Sequence, residues 1–217
     1  MQETKRITFD TETAGGLDNP IVYNAGALGQ NFEYENNVLV NETFFDHELM
    51  NTAYYADKRP IYIDELWDSE IYAKDFFAFR DEIHRIIKEN PKIEIYAHNA
   101  AFDVRALNNT CRYLSKGQIK YFFPYGTIIC DTLKMARQVI GKMPSYRKFC
   151  EENGYMTKHA TPRPRLTAEI LYRFITKDNT FEEAHRGKQD VEIEQKIYEY
   201  IMKQHKKCNR VLYPRQK

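Results

Sequence analysis

RITFDTETAGG, residues 6–16, sets two carboxylates two positions apart at the end of an apolar run, just before a glycine pair. Ile7 and Phe9 alternate with Thr8, Asp10 and Glu12, the two-residue period of a strand, so Asp10 and Glu12 share one face. Neighbouring carboxylates repel and raise one another's pKa unless something positive lies between them, and a divalent cation is the usual solution. The pair is common: Asp-x-Glu recurs at Asp46/Glu48, Asp68/Glu70 and Asp190/Glu192. A solvated acidic edge therefore explains any one instance at least as well. Only further acids delivered to the same place would promote it.

Outward from this stretch, strands are expected at 5–12, 21–32 and 37–45, with Gly15, Gly16, Asn36 and Asn37 as turn signals, an antiparallel meander. Residues 53–67 are aromatic, interrupted by Pro60 and without a clear period. Phe76, Phe79, Ile83, Ile86 and Ile87 recur at helical spacing before Asn90 and Pro91, which predicts a helix over 73–89. KIEIYAHNA (92–100) then alternates as a strand and AFDVRALNNTCRYL (101–114) takes a helical period; TIICDT and LKMARQVI repeat that order at 127–140. Helices at 145–153, with Ser145 as cap and Gly154 as stop, at 167–176 and at 188–205 complete the chain. Strands first, strand and helix alternating next and helices last imply an α/β domain with a mixed sheet.

Two aspartates stand out on these helices. Asp103 heads an apolar stripe of Ala106, Leu107, Thr110, Cys111 and Leu114, so it faces the core. A core-facing carboxylate needs a cation, an arginine or a capping role, and Asn99 is better placed to cap that helix. Asp190 likewise heads Ile193, Ile197, Tyr200 and Ile201. His185 lies five residues before it, and on a continuous helix such a step is about 500°, leaving the side chains roughly 140° apart. Thr180 and Glu183 form a T-x-x-E capping box for a short turn that Gly187 can end, which would put His185 on a glycine-hinged loop beside Asp190. Asp131, after a strand, reads as the cap of the next helix. Acids converging in this way suit two-metal phosphoryl chemistry, and all-oxygen ligands favour Mg²⁺ or Mn²⁺. A histidine with a near-neutral pKa suits the proton of an attacking water.

FDTET at 9–13, HNAAFD at 98–103 and HRGKQD at 185–190 resemble, in this order, the three motifs of the DEDDh 3′-to-5′ exonucleases, the DnaQ-like proofreading family. The resemblance spans nearly the whole chain. It implies a ribonuclease-H-like α/β fold, a central mixed five-stranded sheet flanked by helices. It also implies a domain over 1–202 followed by a basic tail at 203–217. By position, Asp10, Glu12, Asp103 and Asp190 would bind two Mg²⁺ or Mn²⁺ ions and His185 would be the general base. His-x4-Asp occurs twice, and family position selects His185, leaving His98 as a structural hydrogen-bonder. The sister family has a catalytic tyrosine four residues before the last aspartate; here position 186 is arginine. Many relatives have alanine where Gly187 stands, which implies a looser loop. The resemblance implies that Thr11, Asn99 and Phe102, within the motifs, would contact the substrate. The activity implied is removal of nucleotides from a 3′ end, of single-stranded DNA first, with RNA trimming or a weakly catalytic nucleic-acid-binding or polymerase-associated module as alternatives.

Composition constrains the rest. The 217 residues suit one domain with a sizeable core. With 32 basic and 31 acidic residues, bulk charge does not advertise a polyanion binder. Its distribution is uneven: residues 203–217 hold six Lys or Arg and no acid, which reads first as a solvated terminus and second as a phosphate-contacting arm. Arg163 and Arg165 of TPRPRL should sit on a stiff extended loop before a helix, either holding a phosphate backbone or forming an ordinary surface loop. The Tyr and Phe residues of 54–79 are core or base-stacking platforms. The four cysteines show no metal or disulfide spacing, no signal peptide is evident, and no apolar run spans a bilayer, so a cytoplasmic protein outside the membrane is expected.

Overall fold

The computed structural model describes residues 4–213; Arg215 and Lys217 of the basic tail lie outside them. The elements run β1 (Arg6–Ala14), β2 (Ile21–Gln30), β3 (Glu35–Val40), α1 (Asn41–Phe44), α2 (His47–Met50), α3 (Arg59–Trp67), β4 (Tyr72–Lys74) and α4 (Phe76–Glu89). They continue with β5 (Glu94–Ala97), α5 (Ala100–Leu114), β6 (Ile128–Asp131), α6 (Thr132–Gln138), α7 (Pro144–Glu152), α8 (Ala168–Thr176), α9 (Gly187–Lys203) and β7 (Val211–Tyr213). The strands form one mixed sheet, ordered β4-β3-β2-β1-β5-β6-β7, with helices against both faces. The α/β class expected from the sequence is the one observed.

Seven strands rather than five make the sheet. The five central ones match the expected count; the additions are three-residue edge strands, β4 and β7, too short to display an alternation. β1 lies at the centre, antiparallel to β2 and parallel to β5. Lys203, Lys206 and Lys207 of the basic tail are exposed, but residues 211–213 of that tail are tied to the sheet as β7. Its backbone pairs with β6, Lys134 Nζ donates to the Val211 carbonyl at 2.9 Å, and Arg210 holds the buried Glu94 at 2.7 Å. An unpaired β6 edge offers backbone partners, and ordering the tail satisfies them.

The unassigned segment 53–67 is a short 3-10 turn followed by α3, with Pro60 in the first helical turn, where its missing N–H costs nothing. Pro144 does the same for α7, whose cap position is Met143 rather than Ser145. On one face of the sheet, Ile7 and Phe9 pack with Phe76, Phe79 and Ile83 of α4 and Ala106, Leu107 and Cys111 of α5. Burying each large side chain fully contributes about 1.5–3 kcal/mol. On the other face, α6 to α9 pack around Tyr96 and Cys130. Among the described residues no helix is long and apolar enough to cross a membrane, and the four cysteines are free thiols.

Candidate active site

β1 presents Asp10 and Glu12 just before its register with β2 slips between Glu12 and Thr13. The flanking helices bring the other acids to this strand. Asp103, in the first turn of α5, is 5% exposed and accepts a 2.8 Å hydrogen bond from the Thr11 hydroxyl. Asp190, in the first turn of α9, is 3% exposed. The stripe reading of both aspartates therefore holds. Asp103's partners are the Thr11 hydroxyl and backbone N–H groups rather than an arginine. Asn99 does occupy the cap position of α5, but in a left-handed conformation (φ 68°, ψ 44°) without a side-chain cap bond. Asp131 caps α6 as expected, accepting from Lys134 N at 3.1 Å.

Burial dominates the electrostatics of these acids. It pushes Glu12 up to about 8, helped by Asp190 and Glu183 and opposed by Lys58. It raises Asp103 to about 7, against the hydrogen bond from Thr11, and Asp190 to about 6. Asp10 is raised well above the usual carboxylate range, by burial first and then by Asp190, Glu194, Asp103 and Glu12. Each group is one the others would prefer neutral. Asp10 Oδ2 and Asp190 Oδ1 are enclosed acceptors with no hydrogen-bond partner.

His185 lies on the loop before α9, and ligand atoms of Glu12, His185 and Asp190 all fall within 4.8 Å of one another. The loop is not the hinge expected. Residues 181–186 form no helical turn, and Thr180 bonds Asp178 through its N and Oγ1 instead of building a capping box. Gly187 does not stop a turn; it begins α9, is buried, and its φ is not positive. What requires glycine there is close approach to β2: a Cβ on Gly187 would lie 2.5 Å from Gly26 N, and one on Gly26 would lie 2.1 Å from the Gly187 carbonyl. Gly187 N also donates to Asn24 Oδ1 at 2.9 Å. The loop is pinned, not loose.

A brace from the unassigned segment completes the pinning. The Tyr55 ring stacks on His185 with centroids 4.1 Å apart, and its hydroxyl is 3.0 Å from Nε2. Lys58 Nζ donates to the Ala184 carbonyl, Tyr62 OH to the His185 carbonyl at 3.3 Å, and Arg186 ion-pairs with the buried Glu65. Together these hold His185 at φ 52°, a region that non-glycine residues rarely occupy. Burial, then Lys58, lowers its pKa. His98 differs: its ring nitrogens lie 3.0 Å from Thr132 Oγ1 and 2.8 Å from the Leu166 carbonyl, the structural role expected.

Sequence reasoning missed two carboxylates. Glu194 is 3% exposed, one turn beyond Asp190; its Oε1 accepts from His98 N at 2.9 Å and its Oε2 is enclosed without a partner. The signal was present, since offset four from Asp190 falls inside the apolar stripe, where a glutamate is out of place. Glu183, pushed to about 8 by burial and then Asp190, faces the same acids. A further group, Glu169, Glu183 and His185, also comes within ligand distance, but Glu169 is already held by Arg173 at 2.6 Å. Of the proposed substrate contacts, the Thr11 hydroxyl is engaged by Asp103. Phe102 is half-buried with the Arg105 guanidinium 5.5 Å above its ring, and Asn99 lines an open groove. Enclosed carboxylate oxygens without donors and several converging acids, an oxygen-rich set with one imidazole beside it, fit a hard divalent cation.

No protein-family model matches the chain, and no curated protein does. Among solved structures, one described as "Crystal structure of cell-death related nuclease 4" is similar over 96% of this chain and 67% of its own, at 11% identity and a TM-score of 0.46.

Proposed function

We propose that this chain is a divalent-metal-dependent 3′-to-5′ exonuclease of the DEDDh type, acting on nucleic acid and first on single-stranded DNA. The observation that carries this reading is the meeting of Glu12, from β1, with His185 and Asp190, from the loop before α9 and its first turn, within 4.8 Å. Asp10 and Asp103 act electrostatically on the same centre. Asp10, Glu12, Asp103 and Asp190 would hold two Mg²⁺ or Mn²⁺ ions, which when bound neutralise phosphate charge and acidify water.

The chain's own part is positional and basic. Burial and then the Lys58 charge lower the pKa of the His185 imidazole, opposed by Glu169, which favours the neutral form whose lone pair can take the proton of an attacking water. The Tyr55 ring and the Lys58, Tyr62 and Arg186 contacts fix where that lone pair points. Arg186 stands where the tyrosine-type enzymes carry their tyrosine and is engaged by Glu65, which favours the histidine mechanism.

The test is hydrolysis of 5′-labelled single-stranded DNA, duplex DNA and RNA, side by side, with Mg²⁺ or Mn²⁺. A ladder of labelled strands shortening from the 3′ end is expected, fastest on single-stranded DNA and absent in EDTA. Release of the 5′ label as a mononucleotide would reverse the direction, and faster RNA trimming would reassign the substrate. Intact strands under every metal condition would sink the enzymatic reading.

A further inference from the structure

Beside the acids lies a groove of about 1380 Å³ whose lining carries both signs of charge. Asp10, Glu183 and Glu194 line it, and so do Arg137, Arg163 and Arg165. Arg163 and Arg165 are carried not by a plain loop but by the return arm of a small hairpin. Thr157 N donates to the Arg163 carbonyl at 2.8 Å, Arg165 N to the Tyr155 carbonyl at 2.9 Å, and Met156 pairs antiparallel with Pro164. Two apart on extended backbone, the arginines project from the same side. Pro162 and Pro164 stiffen that arm. The Tyr146 hydroxyl, donating to the Arg165 carbonyl at 2.5 Å, ties it to α7.

All three arginines are exposed, and among the described residues none takes part in an ion pair. In a chain with nearly equal numbers of acids and bases, three unneutralised guanidiniums facing one groove are a local excess of positive charge. The acids that share the groove pose the complementary problem, because their carboxylates repel any polyanion whose end must enter it. Arginines lining the same groove offset that repulsion, and guanidiniums suit phosphodiester oxygens in particular.

We infer that this groove holds the phosphodiester backbone of the strand upstream of the reacting 3′ end, with Arg163 and Arg165 on consecutive phosphates and Arg137 on the α6 wall. The inference rests on the exonuclease reading for the strand's direction, but the binding itself has a separate readout. Binding of fluorescent single-stranded oligonucleotides of increasing length is measured against salt in EDTA, so that no hydrolysis intervenes. Every phosphate that a variant leaves unneutralised should flatten the log-log salt slope by about 0.7 for a single strand. Arg163→Ala/Arg165→Ala should therefore flatten it by about 1.4 and weaken the gain in affinity with length. Arg163→Lys/Arg165→Lys should restore most of the slope, since a lysine also neutralises a phosphate. Lys88→Ala/Lys92→Ala, at the opposite end of β5, should keep the wild-type slope.

An unchanged slope in the alanine variant, with hydrolysis intact in the wild type, overturns the groove and leaves the exonuclease. An arginine-dependent slope in a wild-type protein that hydrolyses nothing overturns the exonuclease and leaves the groove as a strand-binding site.

Discussion

His98 and His185 have the same sequence surroundings, each five residues before an aspartate that leads an apolar stripe, yet the structure treats them in opposite ways. His98 sits at the end of β5, with both ring nitrogens at hydrogen-bonding distance of neighbouring groups and its backbone N–H on Glu194. His185 sits on a strained loop, half-buried, with a single tyrosine hydroxyl near its Nε2. A shared spacing thus says where the aspartates go, because a helix follows in each case. It says nothing about the imidazoles, whose roles depend on whether their nitrogens are already engaged. Burial lowers the pKa of both, so the pKa does not separate them either.

The largest effects should fall on the two aspartates alike. Asp103→Asn and Asp190→Asn each should lower metal-dependent hydrolysis by about 10³-fold or more, the several kcal/mol that a misheld metal withdraws from the transition state. Circular dichroism should show a native fold in both. Retained activity in either would break the symmetry of the two aspartates and remove that residue from the metal site.

The histidines should then diverge. His185→Ala should reduce the cleavage rate constant by roughly 10²- to 10⁴-fold while leaving Mn²⁺ affinity near wild type. Its rate should also lose the limb that rises with pH through a group titrating below the ordinary histidine value. His98→Ala should instead remove a partner from the Leu166 carbonyl and leave the Thr132 hydroxyl with the Ala97 carbonyl, costing about 1–3 kcal/mol of stability and leaving the pH limb in place. Denaturant melts and a pH-rate profile on both variants decide between these outcomes; a His185 variant with the wild-type profile would end the general-base assignment.

Gly187 tests the pinning of the His185 loop. Adding a methyl group at the Gly26 contact should cost about 1–3 kcal/mol, the usual range for overpacking, and Gly187→Ala should slow turnover by moving the loop. An alanine variant that is both stable and fast would show that the backbone approach of 2.5 Å relaxes without disturbing His185.

The parts legible in the sequence are those written in local periods. Alternation in residues 6–12 placed β1, and the stripes below Asp103 and Asp190 placed both helices with their acids buried. The parts that were not legible are contacts between distant segments. Residues 55–65 have no period because they pack as a brace: Tyr62 inward on Tyr23 and Phe44, Tyr55 and Lys58 onto the His185 loop. Gly26 and Gly187 are uninformative singly, and only their apposition explains either. The aromatic run split accordingly. Phe76 and Phe79 are core, whereas Tyr54 is 88% exposed beside Tyr55. Glu194 was legible in principle, as an acid in an apolar stripe, and was obscured by the aspartate one turn earlier.

The smallest effect should be in the pH dependence of the metal-free protein, where acid cluster and histidine pair separate again. Burial raises the carboxyl pKa values, to about 6 at Asp190, about 7 at Asp103 and about 8 at Glu12 and Glu183. In the unfolded chain these groups titrate near 4. Between those limits the folded state holds more protons than the unfolded one, so stability falls as pH rises. This contribution is fully present below about pH 4 and is gone above about pH 8. The melting temperature in EDTA should therefore decline from mildly acidic to mildly alkaline pH, and Glu12→Gln should make the decline shallower. A divalent ion competes with those protons, so adding Mg²⁺ or Mn²⁺ should raise the melting temperature more at the alkaline end. The lowered pKa of His98 acts in the opposite sense, because a histidine kept neutral by the fold opposes folding only at acid pH. A melting temperature in EDTA that rises across the same interval would mean that the carboxyl groups are solvated or already paired, and the site would then lack the unsatisfied acids that a metal requires.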